Sequence, residues 1–261
     1  MIVKEINIYK FDNNVKVHYT KNKVSLHQEY RDNMEIYWKS LLKSGKKFFR
    51  GDVFTITNIN YHEQSIDIYV ELTDYAHFLY TLDRGMFDEK DCRVIYTSVL
   101  IETCDGKFVI GEMNRDTFAP KKLQFVGGGI DKDDIDGDLL DLEHNIRKEI
   151  FEELGLDTYD KNITKDFRPY FLKDGGKSNF LSAVFKLDLF LNEVELVDRF
   201  HKFSEELISQ GISPELNSLI LIKAEQKSVE NFINNDLREK DENLIPILKA
   251  AIGLYNIKNL Y

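Results

Sequence analysis

Three consecutive glycines, Gly127, Gly128 and Gly129, follow directly on a short apolar run, Leu123-Gln124-Phe125-Val126. Only a polar loop separates them from a stretch of helical periodicity. No other feature of the chain constrains its fold as much. An apolar run stopped by glycine reads as a strand that ends abruptly. Leu142, Ile146, Ile150 and Leu154 recur at four-residue spacing. That spacing predicts a helix over 139–154 with one apolar face. Gly155 stands where a left-handed residue ends such a helix. The expected fold class is α/β.

The surrounding pattern supplies further elements. Strands are predicted over 94–101 and 108–110, joined by a turn at Cys104-Asp105-Gly106-Lys107. Further strands over 170–173 and 181–187 hinge at Asp174-Gly175-Gly176. A helix over 194–209, a strand over 218–222 and one or two closing helices complete this part. The N-terminal part is more mixed. Met34, Tyr37, Trp38, Leu41 and Leu42 fall at helical spacings and predict a helix over 27–44. Strands follow over 53–57 and 66–72, and Thr73-Asp74 offers a cap for a short helix ending near Leu82. The charged, turn-like stretch 83–91 is the best seam. The expected division is a small α+β domain over 1–90 and a larger α/β domain over 91–261.

Composition narrows the function. Lys and Arg number 35 against 45 Asp and Glu, a net charge of −10. A nonspecific nucleic-acid binder would normally carry the opposite sign. An anionic small substrate stays open if a metal ion or a local basic patch offsets the field. No apolar run is long enough for a membrane span, and no basic segment followed by an apolar one marks the start. The expected setting is the cytoplasm. Cys92 and Cys104 are the only cysteines, too few for a disulfide scaffold or a multi-cysteine metal site.

The chemistry gathers at the end of the 139–154 helix. Glu149, Glu152 and Glu153 stand at i, i+3 and i+4, so one turn presents three carboxylates on one face. A solvated acidic face has the same spacing. The position argues for more. Like charges so spaced cost roughly 0.2–0.5 kcal/mol per pair. Carboxylates in a last turn also oppose the helix dipole, at about 0.3–1 kcal/mol each. A divalent cation relieves both penalties, and carboxylate oxygens are the hard ligands that Mg²⁺ prefers. The triglycine lets backbone approach an ion or a phosphate closely.

Strand, glycines, polar loop, helix and Glu149-x-x-Glu152-Glu153-x-Gly155-Leu156 together resemble the Nudix box of the Nudix hydrolases. That box is written Gly-x5-Glu-x7-Arg-Glu-U-x-Glu-Glu-x-Gly-U, with U apolar. Its last section matches at Glu149, Ile150, Glu152, Glu153, Gly155 and Leu156. Its arginine position holds Lys148, and the place of its first glutamate holds Leu140. The chain takes 20 steps from Gly128 to Lys148, a longer loop than the pattern has. Asp131 or Asp138 are the acids available to replace the upstream glutamate.

The long loop, the domain ahead of the box and several short stretches resemble the UDP-glucose pyrophosphatase branch. Those stretches are Trp38-Lys39, the segment 71–79 and the segment 250–256. The resemblance implies a Nudix α/β/α sandwich with a mixed sheet. It implies hydrolysis of a nucleoside diphosphate linked to another group, a small-molecule nucleoside diphosphate derivative such as a nucleotide sugar. Glu149, Glu152 and Glu153 would hold Mg²⁺, or Mn²⁺ in its place. A backbone carbonyl around Gly127-Gly128 would be a further ligand.

Other residues are candidates by position. Glu215 precedes the last predicted strand, where some family members bring a later catalytic glutamate. Arg115, Lys121 and Lys122 lie on the arm into the glycine loop and would clamp phosphate oxygens. Lys173 and Lys177 flank Gly175-Gly176, a loop placed to close over substrate. Tyr75, Phe78 and Tyr80 are either a base-stacking wall or ordinary helix packing. His18, His27, His62 and His77 show no ligand spacing. Two readings stay open: a pyrophosphohydrolase acting on a nucleotide sugar, ADP-ribose or a dinucleotide-like compound, and a Nudix-fold binding or regulatory module without catalysis.

Overall fold

Two mixed sheets carry the fold, and each borrows chain from the other half of the sequence. The computed structural model describes residues 4–258 except 13, 46–47, 64, 86–87, 116 and 118–119. Strands β1 (Lys4–Lys10) and β2 (Val15–Lys23) open the chain, and α1 (Gln28–Lys43) follows. Strands β3 (Asp52–Tyr61) and β4 (Ile66–Asp74) pair antiparallel and lead into α2 (Tyr75–Arg84). Next come β5 (Ile95–Glu102), β6 (Lys107–Met113) and the two-residue β7 (Leu123–Gln124). A hairpin of β8 (Ile135–Asp136) and β9 (Leu139–Leu140) precedes α3 (Leu142–Leu154). Then follow β10 (Thr164–Gly176), β11 (Leu181–Leu189) and α4 (Glu193–Ser209). The chain closes through β12 (Leu216–Lys223), α5 (Gln226–Asn235), α6 (Leu244–Ala251) and β13 (Ile257–Lys258).

The larger sheet runs β12-β6-β5-β11-β10-β1-β13, with β7 on β6. Its central strands β5 and β11 are parallel and buried along almost their whole length. That is why both read as continuous apolar runs rather than alternating ones. Ile146, Ile150 and Leu154 of α3 and Leu196 and Phe200 of α4 pack on one face. Val229 and Phe232 of α5 and Leu244, Ile247 and Leu248 of α6 pack on the other. The result is an α/β/α sandwich around a mixed sheet. The smaller sheet runs β3-β4-β2-β9-β8 and shares the core beneath α3. Helices α1 and α2 form their own small core from Tyr30, Met34, Trp38, Ala76 and Leu79. No described helix is long and apolar enough to cross a membrane.

Several elements differ from the sequence-based expectation. Lys4–Lys10 and Val15–Lys23, for which the sequence reading has no element, are strands. The helix expected from 139 begins at Leu142, because Asp141 caps it by accepting from the His144 N–H at 2.9 Å. Leu139 and Leu140 are instead strand. The polar loop after the glycines folds into a 3-10 turn at Lys132–Asp134 and the β8–β9 hairpin. That hairpin joins the smaller sheet where Leu139 pairs with His18. Tyr19 N–H donates to Asp138 O at 2.9 Å. Lys21 pairs with Asp138, and Lys132 with Asp52. In the other direction, β1 leaves the N-terminal part to pair with β10 in the larger sheet. The long loop therefore fastens the two sheets together. Both cysteines are free.

Candidate active site

Helix α3 presents its acids at three depths. Ile146 and Ile150 are fully buried and fix which face turns inward. Glu153 lies at the edge of that face and is only 3% exposed, Glu149 is half-buried, and Glu152 is exposed. One oxygen of Glu153, Oε1, accepts from the Gly127 N–H at 2.9 Å. Its other oxygen, Oε2, is buried with no hydrogen-bond partner. Glycine is required on the facing strand end. Gly127 has φ 148°, and a Cβ there would run into the carbonyl of Thr97. A Cβ at Gly128 would overlap the Glu149 carboxylate. The acids thus lie flush against the backbone of the triglycine.

The expected backbone ligands have other engagements. Gly127 offers its N–H to Glu153, Gly128 O accepts from Thr97 N–H at 3.1 Å, and Gly129 O accepts from Asn145 Nδ2 at 3.0 Å. The carbonyl oxygen of Gly127 is the one that this network leaves to other uses.

The four acids sense one another. Burial, and then the charge of Glu215, push the Glu153 carboxyl well above the usual range. Burial, then Glu152 and Glu215, push Glu149 up to about 7. Desolvation of its carboxyl group, then Glu152, raises Glu215, although the residue as a whole is exposed. Glu149, Glu153 and Glu215 are thus raised in one shared field, to which Glu152 contributes its charge. Among the described residues no three Asp, Glu, His or Cys side chains converge as a closed ion cage.

Lys148 pairs with acids of the loop, and its charge tempers the rise at Glu149. Its Nζ lies 2.9 Å from Asp131 Oδ2 and 3.0 Å from Asp134 Oδ1. Asp134 is 1% exposed and also accepts from Asn145 Nδ2 and from the Asp131 N–H, both at 2.9 Å. Asp131, one of the two acids available upstream, therefore meets Lys148, and Asp138 does not. Asp134 was not singled out in the sequence. The available signal was the acidic run Asp131-Lys132-Asp133-Asp134 itself, which forms a reciprocal capping box on the 3-10 turn.

A cavity of about 840 Å³ opens beside the triglycine, with Gly127, Gly128, Gly129 and Glu215 on its wall. Lys122 lines it and is held 3.2 Å from Asp241 Oδ2. Arg115 and Lys121 are exposed and are not part of the wall. Tyr75 and Phe78 line it, their rings stacked at 5.5 Å, and Phe180 continues the stack at 5.6 Å. Tyr80 packs instead against Tyr30 and Tyr37. Lys177 is on the wall, whereas Lys173 is fully buried beneath the β10–β11 turn and donates to Gly175 O. The segment 239–243, another part of the wall, carried no sequence signal that pointed to it.

No family model matches the chain, and no curated protein matches it. Some solved structures are similar in shape. DR0079 of Deinococcus radiodurans superposes with a TM-score of 0.41 at 14% identity, over 61% of this chain and 83% of that one. A Nudix hydrolase from Nitrosomonas europaea gives 0.35 at 12% identity, over 61% and 87%. The pyrophosphohydrolase BsRppH of Bacillus subtilis gives 0.36 at 13% identity, over 78% and 95%. The superpositions are loose and the identities low, so they stand as likenesses only.

Proposed function

We propose that this chain is a Mg²⁺-dependent hydrolase of a nucleoside diphosphate linked to another group, with Mn²⁺ as an alternative metal. The substrate type that its sequence resemblance favours is UDP-glucose or a close UDP-sugar, cleaved to UMP and a sugar 1-phosphate. One observation carries the reading. A buried carboxylate, Glu153, spends one oxygen on the triglycine backbone and keeps the other without a partner, in the field of Glu149, Glu152 and Glu215.

These residues fit a hard divalent cation. The donors are carboxylate oxygens, the unpartnered Oε2 is costly as it stands, and the clustered charge favours a cation. Glu149, Glu152 and Glu153, with the Gly127 backbone, would hold it. When bound, such an ion neutralises diphosphate oxygens and lowers the pKa of a water molecule. Glu215, on the cavity wall, has a raised pKa and would accept a proton from a water molecule there. Lys122 and Lys177 stand on the same wall and balance phosphate charge. Tyr75 and Phe78 bring the N-terminal part to the cavity and offer flat apolar surface to a base.

A product screen with Mg²⁺ over UDP-glucose, ADP-ribose, dinucleoside polyphosphates and nucleoside triphosphates tests the reading. UDP-glucose is expected to have the highest kcat/KM. A preference for ADP-ribose of about a hundredfold, or roughly 2.7 kcal/mol, would replace the substrate assignment. Turnover of none of them would leave a binding module.

A further inference from the structure

The cavity wall carries a second polar group beside the triglycine, formed by Tyr96, Asp241, Glu242 and Asn243. The segment that supplies three of them is pinned to β7. Leu123 N–H donates to Glu239 O and Asp241 N–H to Leu123 O, both at 2.8 Å. Asn243 is only 5% exposed. Its amide Nδ2 donates to the Tyr96 hydroxyl oxygen and to Asp241 Oδ1, and its own N–H donates to that same oxygen at 3.0 Å. Glu242 Oε2 accepts from the Lys177 N–H at 2.9 Å.

Asp241 is already served, since its Oδ1 takes both Asn243 donors and its Oδ2 has Lys122 Nζ at 3.2 Å, but two other acceptors are not. Asn243 Oδ1 is buried with no hydrogen-bond partner. Glu242 Oε1 has Lys173 Nζ at 3.8 Å, beyond hydrogen-bond reach. Lys173 is already committed to Gly175 O, and the Asn243 amide hydrogens to Tyr96 and Asp241. A phosphate brings only acceptors and negative charge, so it can engage Lys122 and Lys177 on this wall but cannot satisfy Glu242 Oε1 or Asn243 Oδ1. A group with several hydroxyls brings donors, which is what the cluster lacks.

We infer that Tyr96, Asp241, Glu242 and Asn243 form the subsite for the part of the substrate that is not the nucleotide, and that they select a polyhydroxylated group there. The inference rests on the proposed nucleoside diphosphate reading of the cavity. Hydroxyls donate to Glu242, and Asn243, held by Tyr96 and Asp241, shapes the wall beside it. A site built around unpaired acceptors discriminates against a ligand without matching donors, because those acceptors then stay unpaired.

Calorimetry on the full chain with Mg²⁺ tests this. The probes are two uncleavable uridine methylene-diphosphonates, one esterified with glucose and one with a methyl group. The glucose conjugate is expected to bind at least about tenfold more tightly. Glu242→Gln and Asn243→Ala should each remove most of that preference and leave the methyl conjugate within about twofold of its parent affinity. Equal affinities in the parent chain, binding of neither conjugate, or a preference untouched by both substitutions would overturn the inference. The parent comparison decides even if a variant fails to fold. A chain that binds the glucose conjugate in this way but leaves UDP-glucose intact keeps the subsite and loses the hydrolase reading.

Discussion

The ammonium of Lys148 lies 3.0 Å from Oδ1 of Asp134, a carboxylate whose side chain has no exposure to solvent. Lys148 is the residue before Glu149, and Asp134 lies in the loop that ties the smaller sheet to α3. The pair therefore links the loop to the acidic turn. Asp134 also has Asn145 Nδ2 and the Asp131 N–H as donors, so its charge is well held only while all three remain. Lys148→Met would strand that charge. The expected loss of stability is about 3 kcal/mol, with Lys148→Arg losing less. Urea unfolding followed by circular dichroism measures both. Equal stability of Lys148→Met and the parent would show that the pair contributes nothing.

The two glycines facing the acids should respond differently to alanine. At Gly127 the added carbon meets backbone, the Thr97 carbonyl, at a positive φ. Neither can yield, and Gly127→Ala should cost on the order of 3 kcal/mol. At Gly128 it meets the end of a side chain, the Glu149 carboxylate. Glu149 can swing aside, so Gly128→Ala should fold nearly as well as the parent while losing Mg²⁺-dependent turnover. Paired melting and activity measurements separate the two cases, and identical behaviour of the two variants would contradict the geometry.

The sandwich half of the fold was legible because its signals are local. The Leu142, Ile146, Ile150 and Leu154 stripe, the turn glycine at Gly106 and the buried runs of β5 and β11 each declare an element within a few residues. Strands β1 and β2 show alternation too, but their partners, β10 for β1 and β4 for β2, lie far away in sequence. Pairing at that range leaves no local trace. The Lys148–Asp134 pair was hidden for a related reason: the β8–β9 hairpin lies between the two residues, and no local spacing shows that it folds them back together. His18 and His62, without ligand spacing in the sequence, both reach Asp67, at 2.6 and 2.9 Å. The wall residues 239–243 are placed by backbone bonds to β7 and could not be read at all.

Acid should loosen the loop before α6. Asp236 accepts from the Arg238 guanidinium, and that bond, with the nearby Lys240 charge, holds its carboxyl down to about 2 against the opposing effect of burial. A depressed folded-state pKa contributes stability that is complete above the unfolded value near 4 and is lost as pH falls toward 2. Arg238 is substantially exposed, so solvent screening reduces the contribution to on the order of 1 kcal/mol. Asp236→Asn should flatten the stability profile between about pH 4 and 2 and leave it parallel to the parent above that range. A parent and variant that stay parallel down to pH 2 would refute the assignment.

The acidic turn itself gives the sharpest test. Glu153 is buried with an unpartnered oxygen, and Glu149, Glu152 and Glu215 share its field. Without a cation this arrangement costs stability through repulsion and through opposition to the helix dipole. Mg²⁺ that binds only the folded form should raise stability by RT ln(1 + [L]/Kd), about 1.4 kcal/mol at roughly ten times Kd. Glu153→Gln keeps an oxygen for the Gly127 N–H but removes the charge. It should weaken the Mg²⁺ shift, lower kcat by about a hundredfold or more, and leave the metal-free protein no less stable than the parent. Glu152→Gln should do the same to the shift and the rate. Glu143 belongs to the same helix but is exposed and pairs with Arg147 at 2.7 Å, so Glu143→Gln should change neither. Melting with and without Mg²⁺, alongside turnover, distinguishes these outcomes. If the Glu152 and Glu153 variants keep the full shift and full activity, α3 carries only a solvated acidic face, and the hydrolase reading loses the observation on which it stands.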